Sequence, residues 1–157
     1  MKKIHWQSLI TILLPLVLGS IVGFITRNDV SNLDYWHRTI IPPKFLFPVV
    51  WTILYLLMGF WLSWYEKNIS SNDKNVRIFW IQFLLNLAFS PALFTFQKIK
   101  LATGIVVLLI ILVGYLCIQT FKKDKKSVFF LLPYFLWLCF ALVLMIDLLV
   151  QNANVLF

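Results

Sequence analysis

Residues 101–121 read LATGIVVLLIILVGYLCIQTF, 21 residues without a single charge. Coiled as a helix at about 1.5 Å per residue, this segment crosses about 30 Å, the thickness of a bilayer's hydrocarbon core. A membrane strand needs only about 10 residues and a strict apolar–polar alternation, which is missing here. Working outward in both directions gives four more runs of the same kind. Ser8–Ile25, Phe45–Tyr65, Ile78–Phe96 and Val128–Val150 hold 18, 21, 19 and 23 residues. The expected fold is all-α, an integral membrane bundle of five transmembrane helices forming a single domain over residues 1–157.

Composition agrees with that reading. Hydrophobic residues make up 61% of the 157 and charged residues 13%, where soluble domains average about half and about a quarter. A soluble core of this size cannot hide so much apolar surface, so lipid is the solvent. The net charge is +8, but the basic residues sit in short segments between the runs. That placement suits a topology signal and not a nucleic-acid footprint, which needs a basic patch on a folded surface. Cys117 and Cys139 each lie inside an apolar run and read as reduced packing residues. The first run follows Lys2 and Lys3 but exceeds the roughly 7–15 residues of a signal-peptide core, and no A-x-A-like site follows it. It reads as an uncleaved first span.

Orientation follows from counting Lys and Arg in alternate connections. One side collects Lys2, Lys3, Lys67, Lys74, Arg77, Lys122, Lys123, Lys125 and Lys126, nine in all. The other has Arg27, Arg38, Lys44, Lys98 and Lys100, five in all. Nine against five predicts a cytoplasmic N-terminus and an external C-terminus, with the long connection from about Thr26 to Lys44 outside. The short turn near Gln97–Lys100 makes the third and fourth helices antiparallel neighbours. Pro15, Pro48, Pro91 and Pro133 fall within or at the edge of the runs. Each removes a backbone hydrogen bond, and the result is either a kink that opens space between helices or a tolerated irregularity.

Three polar or aromatic patterns stand out inside the spans. Phe47, Trp51, Tyr55 and Met58 recur at spacings of four, four and three, so they form one helical stripe. Such a stripe is core packing, an interfacial belt, or one wall of a site for a flat hydrophobic ligand. Gln82, Asn86 and Ser90 follow at spacings of four, two amides and a hydroxyl on one face at bilayer depth. Unpaired there they are costly, so they face the interior, as interhelical glue, as the polar wall of a cavity, or as both. In the last span Trp137, Ala141, Leu144 and Leu148 share a face. Asp147 is an intramembrane acid or, a turn from the end of its run, a solvated one. Gly19 and Gly23, and Ala88 and Ala92, have the small-x-x-x-small spacing that permits close helix approach.

Absences narrow the field. The chain lacks a phosphate-binding G-x-x-x-x-G-K, an H-E-x-x-H and a Ser/His/Asp set. His5 and His37 lie outside the spans, leaving no buried histidine to ligate a haem iron.

The run Pro42-Pro43, six residues, then Val50-Trp51-Thr52-Ile53-Leu54-Tyr55-Leu56-Leu57-Met58-Gly59 resembles the signature of the TspO/MBR family. These are translocator proteins, formerly peripheral benzodiazepine receptors, called tryptophan-rich sensory proteins in bacteria. The family's third-span pattern is met by Trp80, Gln82, Asn86 and Ser90-Pro91, and its fifth-span pattern by Pro133-Tyr134, Trp137 and Phe140-Ala141. The resemblance implies a five-helix bundle whose cavity opens toward the first connection, a lid carrying Arg38, Pro42, Pro43 and Lys44. It implies binding of porphyrins such as protoporphyrin IX and haem, and in some members light-dependent porphyrin degradation involving tryptophans matching Trp51 and Trp137. With the residue patterns it makes Phe47, Trp51, Tyr55, Gln82, Asn86, Ser90, Trp137, Phe140 and Ala141 the ligand-binding candidates. No cofactor is required, porphyrin being a ligand, with Arg38 or Lys44 near the mouth for its acids. The implied setting is a bacterial plasma membrane, and the implied assembly a homodimer.

Departures from the family pattern are informative too. The Lys-Pro usual before the paired prolines is replaced by His37-Arg38-Thr39-Ile40-Ile41, and the Leu-Asn usual after Phe-Ala reads Leu144-Met145. No Tyr followed by Lys or Arg occurs in or after the fifth span, so the sterol-recognition pattern is missing.

Overall fold

The structure, a computed structural model, describes residues 6–156, with side chains through residue 154. Lys2, Lys3 and His5 lie outside the described residues. Five long helices carry the fold: α1 (Trp6–Thr26), α2 (Leu46–Asn68), α3 (Lys74–Ser90), α4 (Ile99–Lys123) and α5 (Val128–Gln151). With the turn that extends α3 to Thr95, all five are long and apolar enough to cross a membrane. The helices outrun the apolar stretches at several ends, because interfacial residues such as Lys67 and Lys122 continue a helix while their charges stay in water.

Each helix packs on the next in the order α1, α2, α5, α4, α3, and α3 returns to α1. The larger core lies among α2, α3, α4 and α5. Met58, Trp61, Leu62 and Tyr65 of α2 meet Phe79 and Phe83 of α3, Leu109 and Val113 of α4, and Leu131, Tyr134 and Leu138 of α5. A smaller core near the other end joins Ala92, Leu93, Ile99, Ala102 and Val106 to Met145 and Leu148. Residues such as Val17, Ile21 and Phe24 of α1, Ile111 and Ile118 of α4, and Leu136, Val143 and Val150 of α5 face outward. An apolar jacket of that extent belongs in lipid.

The small residues of α1 and α2 draw those two helices together. A Cβ on Gly59 would lie 2.0 Å from the Ile12 carbonyl oxygen, and one on Gly19 would lie 2.2 Å from the Tyr55 ring. Gly23, the second member of the G-x-x-x-G pair, has open space around it. In the third span Ala92 is buried while Ala88 faces outward.

Proline sets the ends and irregularities. Pro48 falls in the first turn of α2, where its missing N–H has no intrahelical partner to lose. Pro15 and Pro133 sit inside α1 and α5. Pro91 starts one wide π-type turn, Pro91–Thr95, closed by Phe96 N–H on the Pro91 carbonyl at 2.9 Å. Gln97 follows with φ 52°, a left-handed residue that reverses the chain into α4. At the opposite face Asp73 caps α3 by accepting from the Asn75 backbone N–H at 2.8 Å.

Candidate functional site

The aromatic stripe of α2 meets α5 beside the first connection. Trp51 stacks on Tyr55, one turn below, at 5.3 Å between ring centroids. Its ring stands edge-on to Trp137 at 6.5 Å and to Tyr134 at 6.2 Å. Trp137 in turn meets Phe47 at 6.0 Å and Phe140 at 5.3 Å. All six rings belong to residues recurring every three or four along their helices, the spacing that puts them on one face. Trp137 and Phe140 also form one side of an apolar groove of about 570 Å³ between α2 and α5, completed by Val50, Leu54, Pro133 and Leu136.

Behind the rings lies a directed chain of hydrogen bonds. Tyr55 O–H donates to Asn86 Oδ1 at 3.0 Å, and Asn86 Nδ2 donates to the Tyr134 hydroxyl at 2.9 Å. Tyr134 O–H then donates to Gln82 Oε1 at 3.0 Å. Three helices are tied by these four side chains, and Gln82, Asn86 and Tyr134 are buried. Gln82 Nε2 is left without a partner among the described residues. Tyr134 entered the sequence reading only as part of a motif; its role is to complete the amides of α3, which is visible only once α5 is placed beside them.

Of the remaining candidates, Ala141 packs on the smaller core, and Ser90, at the start of the wide turn, joins none of the hydrogen bonds of this chain. Phe47, Trp51, Tyr55, Gln82, Asn86, Trp137 and Phe140 are brought together.

The first connection closes over this end of the bundle. Its 3-10 segment, Asp29–Tyr35, lies on the wide turn after α3. Asn32 Nδ2 donates to the Phe94 carbonyl at 2.9 Å, and Thr95 Oγ1 to Asp29 Oδ2 at 2.6 Å. The following extended stretch is held by α5. His37 N–H donates to Asn152 Oδ1 at 3.1 Å while Asn152 Nδ2 donates to the His37 carbonyl at 2.8 Å, so one amide side chain imitates a strand partner. Asp147 accepts from Thr39 N–H at 2.9 Å, Ile40 N–H at 3.1 Å and the Thr39 hydroxyl.

The lid's cations are engaged. Arg38 Nη2 and Lys44 Nζ both contact Asp34, at 2.9 and 3.1 Å. Lys44, with Arg38, holds the Asp34 carboxyl below the usual carboxylate range. Pro43 caps the approach to α2, its carbonyl accepting from Leu46 N–H at 3.0 Å, while Pro42 beside it is half-buried. No group of three or more His, Cys, Asp or Glu that would hold a metal occurs among the described residues.

Comparison with known proteins agrees with this architecture. The chain is 29% identical over 147 residues to the tryptophan-rich protein TspO of Chlorobaculum tepidum, covering 86% of this chain and 91% of that one. It is 30% identical over 146 residues to the translocator protein homolog of Schizosaccharomyces pombe, covering 87% and 85%. It is 22% identical over 139 residues to the tryptophan-rich sensory protein of Cereibacter sphaeroides, covering 86% and 85%. The model of the TspO/MBR family matches residues 11–150. With five membrane-spanning helices and nearly the whole length matched, this chain belongs to the TspO/MBR family of integral membrane proteins.

Proposed function

We propose that the protein binds porphyrins, such as protoporphyrin IX or haem, or similar flat hydrophobic molecules, and so transports, sequesters or senses tetrapyrroles. The observation that supports this most is the meeting of Trp51 and Trp137 beside the 570 Å³ apolar groove, with amides and phenols immediately behind them. Flat π-systems gain from offset or edge contacts with indoles, and a few convergent polar groups fix orientation. A porphyrin's carboxylates would compete with Asp34 for Arg38 and Lys44, the forked guanidinium of Arg38 being the better partner. Iron ligation is not needed for this reading: porphyrin is ligand, not cofactor. The direct experiment is purification from porphyrin-producing cells followed by absorption spectroscopy. A porphyrin band travelling with the protein, and reduced when Trp137 is replaced, is the expected result; its absence from the parent protein removes the reading.

A second reading is light-dependent oxidative breakdown of a bound porphyrin. It draws on the two indoles at 6.5 Å, oxidisable groups beside a photosensitising ligand. Illumination with oxygen should then give a product that the Trp51→Phe and Trp137→Phe variants do not form.

We further propose residence in a bacterial plasma membrane, with the N-terminus cytoplasmic and the C-terminus external, an orientation supported by the nine-to-five distribution of Lys and Arg. Labelling of single cysteines from one side of sealed vesicles checks it. The proposed assembly is a homodimer, with the outward-facing Ala88 of α3 the position at which to seek a cysteine cross-link.

A further inference from the structure

At the opposite end of the bundle from the aromatic site, α1 and α2 separate. The two are in tight contact at Ile12 and Gly59. One turn nearer the membrane face a cleft of about 350 Å³ opens between them, and every side chain lining it is polar. Gln7, Ser8 and Thr11 come from α1, Ser63, Glu66 and Lys67 from α2. Two neighbouring helices thus present polar side chains to one another across a space open to a polar ligand.

Glu66 defines what that is. Its carboxylate is partly withdrawn from water, and Thr11, whose hydroxyl donates to the Gln7 carbonyl at 3.0 Å, lines the same cleft. Among the described residues no Lys or Arg forms an ion pair with it. Carboxylate and hydroxyl oxygens together present a set of acceptors, and the chemical complement is a compact cation with several N–H donors. A primary ammonium supplies three; a trimethylammonium supplies none. Lys67, next to Glu66 and solvent-exposed, offers a positive charge for a phosphate beside that ammonium. The cleft lies where α1 begins and α2 ends, hence at headgroup depth, and Ile10, Leu13 and Val17 continue down the lipid-facing side of α1.

We infer that this cleft is a binding site for the zwitterionic headgroup of an aminophospholipid, the ammonium of a phosphoethanolamine against Glu66 and its phosphate toward Lys67. The site is independent of the porphyrin reading, sharing no residue with it.

The test is native mass spectrometry of the full-length protein in micelles doped equally with phosphatidylethanolamine and phosphatidylcholine of identical acyl chains. Retained phosphatidylethanolamine should exceed phosphatidylcholine about fivefold or more. Glu66→Gln should bring the two to parity, and Thr11→Val, on the other helix, should reduce the preference while the thermal melt stays that of the parent. Soluble glycerophosphoethanolamine should not displace the lipid at equal concentration, because it lacks the acyl chains that lie along α1. Equal retention by the parent, an undiminished preference in Glu66→Gln, or displacement by the soluble headgroup would each overturn the inference.

Discussion

Asp147, a turn before the end of α5, takes the backbone N–H groups of both Thr39 and Ile40, more than a hundred residues earlier in the chain. An acid that sequence alone leaves between an intramembrane and a solvated role is thus a clasp for the connection over the aromatic site. Asn152, one turn on, holds His37 by two further hydrogen bonds. The lid is fastened through its backbone, by side chains of the last helix.

Releasing the clasp should free the lid without unfolding the bundle. Asp147→Ala and Asn152→Ala should each raise amide exchange in residues 37–40. For the buried Asn152, two hydrogen bonds at about 1 kcal/mol each correspond to a ten- to thirtyfold increase. Exchange in α2 and α4 should be unchanged. If porphyrin binds beneath the lid, both variants should speed its association and its release.

The Tyr55–Asn86–Tyr134–Gln82 chain predicts a non-additive pair. Tyr134→Phe leaves Asn86 Nδ2 and Gln82 Oε1 without their partner and should cost about 1–2 kcal/mol, within the range found for interhelical hydrogen bonds in membranes. Asn86→Leu should cost a similar amount. Adding one to the other should cost less than the sum, since both remove the same bond. Thermal melts of the three variants in one detergent decide it.

The α1–α2 contact should discriminate between glycines. Gly59→Ala drives a methyl into the Ile12 backbone, which has no rotamer to yield, and should destabilise by about 1–3 kcal/mol. Gly23→Ala, with open space around it, should be neutral or slightly stabilising. Melting temperatures of the two variants give the comparison.

Acid should loosen the end of the bundle where α3 begins. Asp73 receives Lys123 Nζ at 2.9 Å, caps Asn75 and accepts the Tyr65 hydroxyl at 3.1 Å, and these contacts, Lys123 first, hold its carboxyl below the usual range. A folded-state pKa below the unfolded one means the contribution is complete above about pH 4 and lost as pH falls through the lower folded value. Stability should therefore be level from neutral pH to about 4 and decline below. In Asp73→Asn the neutral-pH stability should be lower and the acid decline shallower.

What the chain declares openly is what depends on local composition. Five apolar runs identify five spans because hydrophobicity over about 20 residues needs no tertiary information, and the Pro42–Gly59 run was specific enough to point to the family. Gln82 and Asn86 had to face inward, since amides at bilayer depth require partners. Their partners were hidden: Tyr55 and Tyr134 lie 31 and 48 residues from Asn86, and only the order of helices around the bundle brings them within reach. Asp147 and Asn152 were hidden more deeply, because they recognise backbone groups, which every residue possesses. The wide turn at Pro91 was announced by the proline, but its form was not.

Porphyrin binding as proposed requires a flat guest lying against Trp51 and Trp137. The most direct measurement is titration of protoporphyrin IX into the detergent-solubilised protein while tryptophan emission is followed. Saturable quenching at micromolar ligand is predicted, with a smaller amplitude and weaker apparent affinity in Trp51→Phe and Trp137→Phe. Quenching that never saturates, or variants indistinguishable from the parent, would contradict it.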